Sequence, residues 1–176
     1  MCSPISLVVA DYRDALLEAV TDVAENSLFA FVDASDQASF EAARTDADTA
    51  NGWLDACIEF RGPTSGRFEL TLSEPLARHL CASFAGAEGP DEFGEADLFD
   101  FTGELANMMC GAWLTRACRW EAFSLTPPRV SRAPQHVASS GDASDRCYVS
   151  IDDALVQLEI HWEHPDSPSS GCADGR

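Results

Sequence analysis

The stretch that most constrains the fold runs from residue 53 to residue 86. Two runs, "WLDACIEF" and "RFELTL", alternate apolar and polar residues on either side of "RGPTSG", whose Gly and Pro mark a turn. This pattern predicts a β-hairpin with one buried face. The helical stretch "SEPLARHLCASFAG" follows at once, with Ser73 as N-cap, Pro75 in the first turn and Gly86 just past the last apolar residue. A hairpin that feeds directly into a helix predicts a mainly antiparallel sheet with helices packed on one face.

The remaining chain extends this plan. "DYRDALLEAVTDVAENS" repeats apolar residues at Leu16, Leu17, Val20 and Val23, which predicts a helix with Asp11 as its N-cap. "LFAFVD" reads as a short strand, and the polar, acidic "ASDQASFEAARTDADTANG" as a segment with an exposed loop. After the acidic loop "AEGPDEFGEAD", a long helix is predicted from Asp97 to Arg116. "RWEAFSLTPPRV" reads as a strand ended by Pro127 and Pro128, and "RAPQHVASSGDASD" as a loop. "RCYVSI" and "ALVQLEIHWE" then form a hairpin around Asp152 and Asp153. The expected fold is therefore α+β, a two-layer sandwich with a mainly antiparallel sheet and long helices on one face. It is built from two helix-plus-three-strands units. One domain is expected over residues 1–164, with the Pro-, Ser- and Gly-rich residues 165–176 as a disordered tail.

Charge narrows the partners. Thirty acidic residues face eleven basic ones, all of them Arg, for a net charge of −19. Such a surface repels phosphate backbones and anionic lipid, which argues against nucleic acid and membrane surfaces as ligands. No apolar run approaches the roughly 18 residues of a membrane span and no basic leader precedes the first apolar stretch, so a cytoplasmic protein is expected. The seven Cys are odd in number and form no CxxC pair, which predicts buried free thiols in a reducing compartment. "HWEH" at 161–164 has no third ligand at motif spacing, so neither a metal nor a cofactor of the chain's own is expected.

Within the predicted long helix, "DFTGELANMMCG", at about 100° per residue, Asp100, Glu104, Asn107 and Gly111 share one stripe. Leu98, Phe101, Leu105, Met108, Met109 and Ala112 cover a separate arc that goes to the core. Acidic residues near a helix N-terminus also suit an ordinary solvated face. Against that reading, Asn is a poor helix former and Gly costs about 1 kcal/mol in a helix interior, so both on one exposed face suggest a further requirement. A carboxylate beside a carboxamide offers no nucleophile, no base near neutral pH and no metal set. It suits positioning of a cation and a water.

"RGPTSGRFELTLSEPLARHLCASF", "DFTGELANMMCGAW" and "LTPPRV" together resemble the CheX-type members of the CheC/CheX/FliY chemotaxis phosphatases. Their signature is Asp or Ser, three residues, Glu, two residues, Asn, then a Pro some twenty residues on. Asp100, Glu104 and Asn107 match it, and Pro127 or Pro128 stands near the Pro position. The resemblance implies dephosphorylation of a phosphorylated CheY-type response regulator. Glu104 would pair with the regulator's Lys, Asn107 would orient the attacking water, and the regulator would supply the aspartate and Mg²⁺. It also implies an edge-to-edge homodimer. A non-catalytic adaptor of the same fold that docks a response regulator is the alternative. Asp14, Glu18 and Thr21 repeat the spacing on the first helix with Thr in place of Asn, and read as an inactive copy.

Overall fold

The computed structural model describes residues 9–45, 52–118, 121–133 and 144–163. Helix α1 (Val9–Val23) runs on into a π-helical turn (Ala24–Leu28), followed by β1 (Val32–Ala34) and α2 (Gln37–Thr45). The hairpin β2 (Trp53–Arg61) and β3 (Ser65–Ser73) leads into α3 (Glu74–Ala85). The long α4 (Glu95–Ala117) precedes β4 (Ser124–Leu125), β5 (Arg129–Ala133), β6 (Ser144–Ile151) and β7 (Ala154–Trp162).

The strands form one seven-stranded sheet in the order β1-β6-β7-β3-β2-β4, with β5 also on β2, and every pairing is antiparallel. The order shows the duplication. The last strands of the two units, β3 and β7, meet at the centre, while each unit's first strand crosses to pair with the other unit's middle strand: β1 with β6, and β4 and β5 with β2.

Period-two alternation sends Leu54, Ala56, Ile58 and Phe60 of β2, with Phe68, Leu70 and Leu72 of β3, into the main core under α1, α3 and α4. Trp113 of α4 is fully buried against Tyr12, Phe60, Phe68 and Trp162, and its indole N–H donates to the Tyr12 carbonyl at 3.3 Å. Such a buried anchor fixes α4 over the sheet. At Gly66 in β3, an added Cβ would collide with the carbonyl oxygen of His161 and lie 2.6 Å from Phe60 Cζ. Because a backbone atom cannot yield as a side chain can, Gly66→Ala should cost about 3 kcal/mol. Urea unfolding followed by Trp fluorescence would measure it, and a loss below about 1 kcal/mol would contradict this packing.

Local structure departs from expectation at several points. Helix α1 already includes Asp11, which is therefore not its N-cap. "LFAFVD" is not a strand throughout, because the π-helical turn extends to Leu28 and pairing starts only at Val32. The acidic stretch expected to loop contains α2, started by Asp36, whose carboxylate accepts from the Ser39 N–H at 2.8 Å. Helix α2 buries only Phe40, against Trp53 and Tyr148 in a second, smaller cluster. The sheet resumes as β5 after Pro127 and Pro128 instead of ending there. Cys81, Cys110, Cys118 and Cys147 are free and buried as expected, whereas Cys57 is disulfide-bonded. The predicted tail at 165–176 lies outside the described residues.

Candidate functional site

Helix α4 is held at its N-terminus by charge pairs. Gly94 is its N-cap, and its N–H donates to Asp97 at 2.8 Å. Arg132 of β5 bridges Glu95 of α4 (2.8 Å) and Glu74 of α3 (2.6 Å), while Arg78 pairs with Glu74 at 2.9 Å and donates to the Phe93 carbonyl. Burial alone would raise the Glu74 carboxyl, but hydrogen bonds from Arg132 and Arg78 outweigh it and hold the group below the ordinary glutamate value of 4.5. A depressed folded-state pKa stabilises the fold above 4.5, and that contribution is lost as pH falls through the lower folded value. Stability measured from pH 6 down to pH 3 should therefore fall less steeply in Glu74→Gln than in the parent. Parallel curves would exclude the linkage.

The predicted stripe is present on α4. Asp100 and Glu104 are exposed, while Asn107 and Gly111 are half-buried. Leu98, Phe101, Leu105 and Met109 point into the core and Met108 and Ala112 pack at its margin. Among the described residues, no hydrogen bond or ion pair engages the side chains of Asp100, Glu104 or Asn107. Glu104 and Asn107, three residues apart, are surface neighbours whose polar atoms are not engaged by any of the described residues. An added Cβ at Gly111 meets nothing within 4 Å, so no neighbour inside the described chain accounts for glycine there.

The fold adds two flanks to this stripe, one of them deciding between Pro127 and Pro128. Gly103, fully buried, lies under Pro128: an added Cβ would come within 3.0 Å of Pro128 Cγ and 3.4 Å of Val130. Of the two prolines, it is therefore Pro128 that rests on α4, one turn before Asn107. On the other side Phe84 of α3, 50% exposed, packs against Phe101 with ring centroids 5.8 Å apart and leaves an apolar margin beside the stripe. The signature's Pro position pointed to Pro127 or Pro128, but nothing in the local sequence pattern paired either with Gly103.

On α1, Asp14 and Glu18 are exposed and Thr21 is half-buried, the same exposure order as Asp100, Glu104 and Asn107. The copy is thus faithful in placement and differs in chemistry at its third position. On the opposite face of the sheet, His161 of the HWEH stretch lies 3.4 Å from Glu69 and 3.3 Å from Glu159, a grouping that spacing in the sequence did not reveal. Arg67 and Arg146 sit 2.8 and 2.9 Å from Glu69 and Glu159. With each carboxylate already facing a guanidinium, this group is a charge ladder across three strands and a poor cage for a cation.

These features define an antiparallel α+β sandwich that presents a carboxylate and a carboxamide from one long helix. Residues 54–152 match the family of the chemotaxis phosphatase CheX, and the chain belongs to that family. Among solved structures, the chain is similar to a CheX from Desulfovibrio desulfuricans, with a TM-score of 0.65 at 15% identity over 86% of this chain and 99% of that one. It is also similar to a CheC-like protein from Shewanella sp. PV-4, with a TM-score of 0.63 at 20% identity over 88% and 98%. A third relative is the CheX-CheY-BeF3-Mg²⁺ complex from Borrelia burgdorferi, with a TM-score of 0.61 at 15% identity over 88% and 99%. At these identities the likeness shows the fold. Among curated proteins none matches the chain. No helix among the described residues is long and apolar enough to cross a membrane.

Proposed function

We propose that this protein hydrolyses the phosphoaspartate of a CheY-type response regulator, with Glu104 and Asn107 as the working pair. The observation that carries the proposal is their placement: surface neighbours on one helical stripe, without a hydrogen-bond or ion-pair partner among the described residues, beside an open Gly111. Family membership and the CheY-bound relative support the same reading. In this mechanism Glu104 pairs with a cationic side chain of the regulator and so places α4 over the phosphoryl group. The Asn107 carboxamide accepts a hydrogen bond from a water and aligns it with phosphorus. A bond forms from the water oxygen to phosphorus, the bond from phosphorus to the aspartyl oxygen breaks, and phosphate leaves with the water's protons shared between itself and solvent. The step draws on no metal of this chain; Mg²⁺ held by the regulator would supply charge neutralisation on the phosphoryl oxygens. The reaction takes place in the cytoplasm.

The test is to phosphorylate a CheY-type regulator with a small phosphodonor in Mg²⁺ and follow phosphate release with and without this protein. Acceleration at substoichiometric amounts supports the phosphatase. Saturable binding without acceleration makes the protein an adaptor, and absence of both acceleration and binding rules out that regulator as the partner. The enzyme is proposed to work as an edge-to-edge homodimer, and sedimentation as a monomer at micromolar concentration would exclude that.

Gly111 supplies a separate check. Replacing it with Ala fills open space and removes a helix-interior glycine, so the isolated protein should gain about 1 kcal/mol in stability. If the regulator's backbone approaches there, the same substitution weakens binding. A more stable protein with unchanged affinity for the regulator would leave Gly111 outside the interface.

A further inference from the structure

The corner where the π-helical turn meets β1 carries a second feature that the α4 site does not use. Phe29 and Phe31 are 82% and 76% exposed, far more than any other large apolar side chain among the described residues. The backbone that presents them is fixed. Phe29 N–H and Ala30 N–H both donate to the Ala24 carbonyl, Phe31 N–H donates to the Asp152 carboxylate at 2.9 Å, and Asp152 N–H returns a bond to the Phe31 carbonyl at 3.0 Å. The other carboxylate oxygen of Asp152 lies 3.2 Å from His79 Nε2.

The corner is also strained. The non-glycine residues with positive φ among those described are Phe29 (57°), Asp152 (47°) and Asp153 (65°), and all three lie here. For the two aspartates the β6–β7 turn accounts for the conformation, since a two-residue hairpin turn of type I′ needs positive φ at both positions and Asp tolerates it. Phe29 has no such reason. It occupies a left-handed helix-ending position where Gly or Asn would be unstrained, and its ring contributes nothing to the core. A bulky side chain kept in strain and held out in solvent points to a use outside the chain.

Charge indicates what covers it. Within seven residues of the two rings along the chain the charged residues are Asp22, already paired with Arg116, and Glu25, Asp33 and Asp36, all acidic, and the β6–β7 turn adds Asp152, which faces His79, and Asp153. A second copy seated on this corner would bring the same acidic border against itself, so the homodimer proposed above is assigned to the β4 and β5 edge of the sheet and not to the β1 edge. An anionic lipid surface is disfavoured on the same ground. We infer that Phe29 and Phe31 are a preorganised pair of aromatic anchors for a basic amphipathic helix of another protein, whose apolar stripe covers the rings while its Lys and Arg border meets the surrounding carboxylates. The surface is distinct from the Glu104 and Asn107 stripe and goes beyond the proposed phosphatase reaction.

The probe is a synthetic helical peptide with a Leu stripe bordered by Lys, titrated into the full chain at physiological salt. Controls are a scrambled peptide of identical composition and a peptide with Glu in place of Lys. Phe29→Gly relieves the strain, so the variant should melt no lower than the parent, and a loss of binding there is not unfolding. Saturable binding of the striped peptide alone is expected, weakened about thirtyfold by Phe29→Gly and further by Phe29→Gly with Phe31→Ser. The inference is overturned by absent binding, by equal binding of the scrambled peptide, or by binding that the double variant leaves unchanged. Self-association of the parent that disappears in the double variant would also overturn it and assign the corner to a second copy.

Discussion

Asn107→Ala should slow phosphate release from the phosphorylated regulator by about 10² or more while leaving the affinity for that regulator within about twofold. The asymmetry follows from where Asn107 sits. It is half-buried, makes no hydrogen bond inside the described chain, and contributes little area to a docking surface. Its amide becomes useful only when a water and a phosphorus atom are both present, so its removal acts on the transition state more than on the bound ground state. The fold should not suffer, because Ala is a better helix former than Asn by about half a kcal/mol. Phosphate release and binding, measured on the same preparation, would separate the outcomes. Full turnover by the variant would remove Asn107 from the mechanism, and a matching fall in affinity would make it a docking residue instead.

Much of this arrangement is local and was therefore readable in advance. Alternation fixed the faces of β2 and β3, the Ser73 and Gly86 caps bounded α3, and the 3.6-residue period separated the α4 stripe from its core arc. What escaped is non-local or faint. Helix α2 buries Phe40 alone, so it has no apolar stripe to detect. The contact of Pro128 with Gly103 and the bridge of Arg132 to Glu74 and Glu95 join residues far apart in the chain. The crossing of β1 to β6 is equally invisible to local pattern. A three-residue strand carries too little alternation to choose a partner, and its pairing depends on register set elsewhere in the sheet.

The duplication bears on the second large effect. Glu104 and Glu18 occupy matching, exposed positions on α4 and α1, so helix placement alone does not distinguish them. The difference is the residue three positions on, Asn107 against Thr21, and the neighbourhood: Gly111 and the Pro128 segment flank Glu104. Glu104→Ala should therefore weaken binding of the phosphorylated regulator by about 30-fold to a few thousandfold, the range for truncating one member of a buried charge pair at an interface. A solvated carboxylate without a partner among the described residues contributes little to folding, so the melting temperature should stay within a degree or two of the parent, about what ±0.5 kcal/mol allows. Glu18→Ala is the matched control and should change neither affinity nor turnover. If the two variants lose affinity equally, α1 is a second docking helix. If only Glu18→Ala does, the working face is on α1 and the assignment to α4 fails.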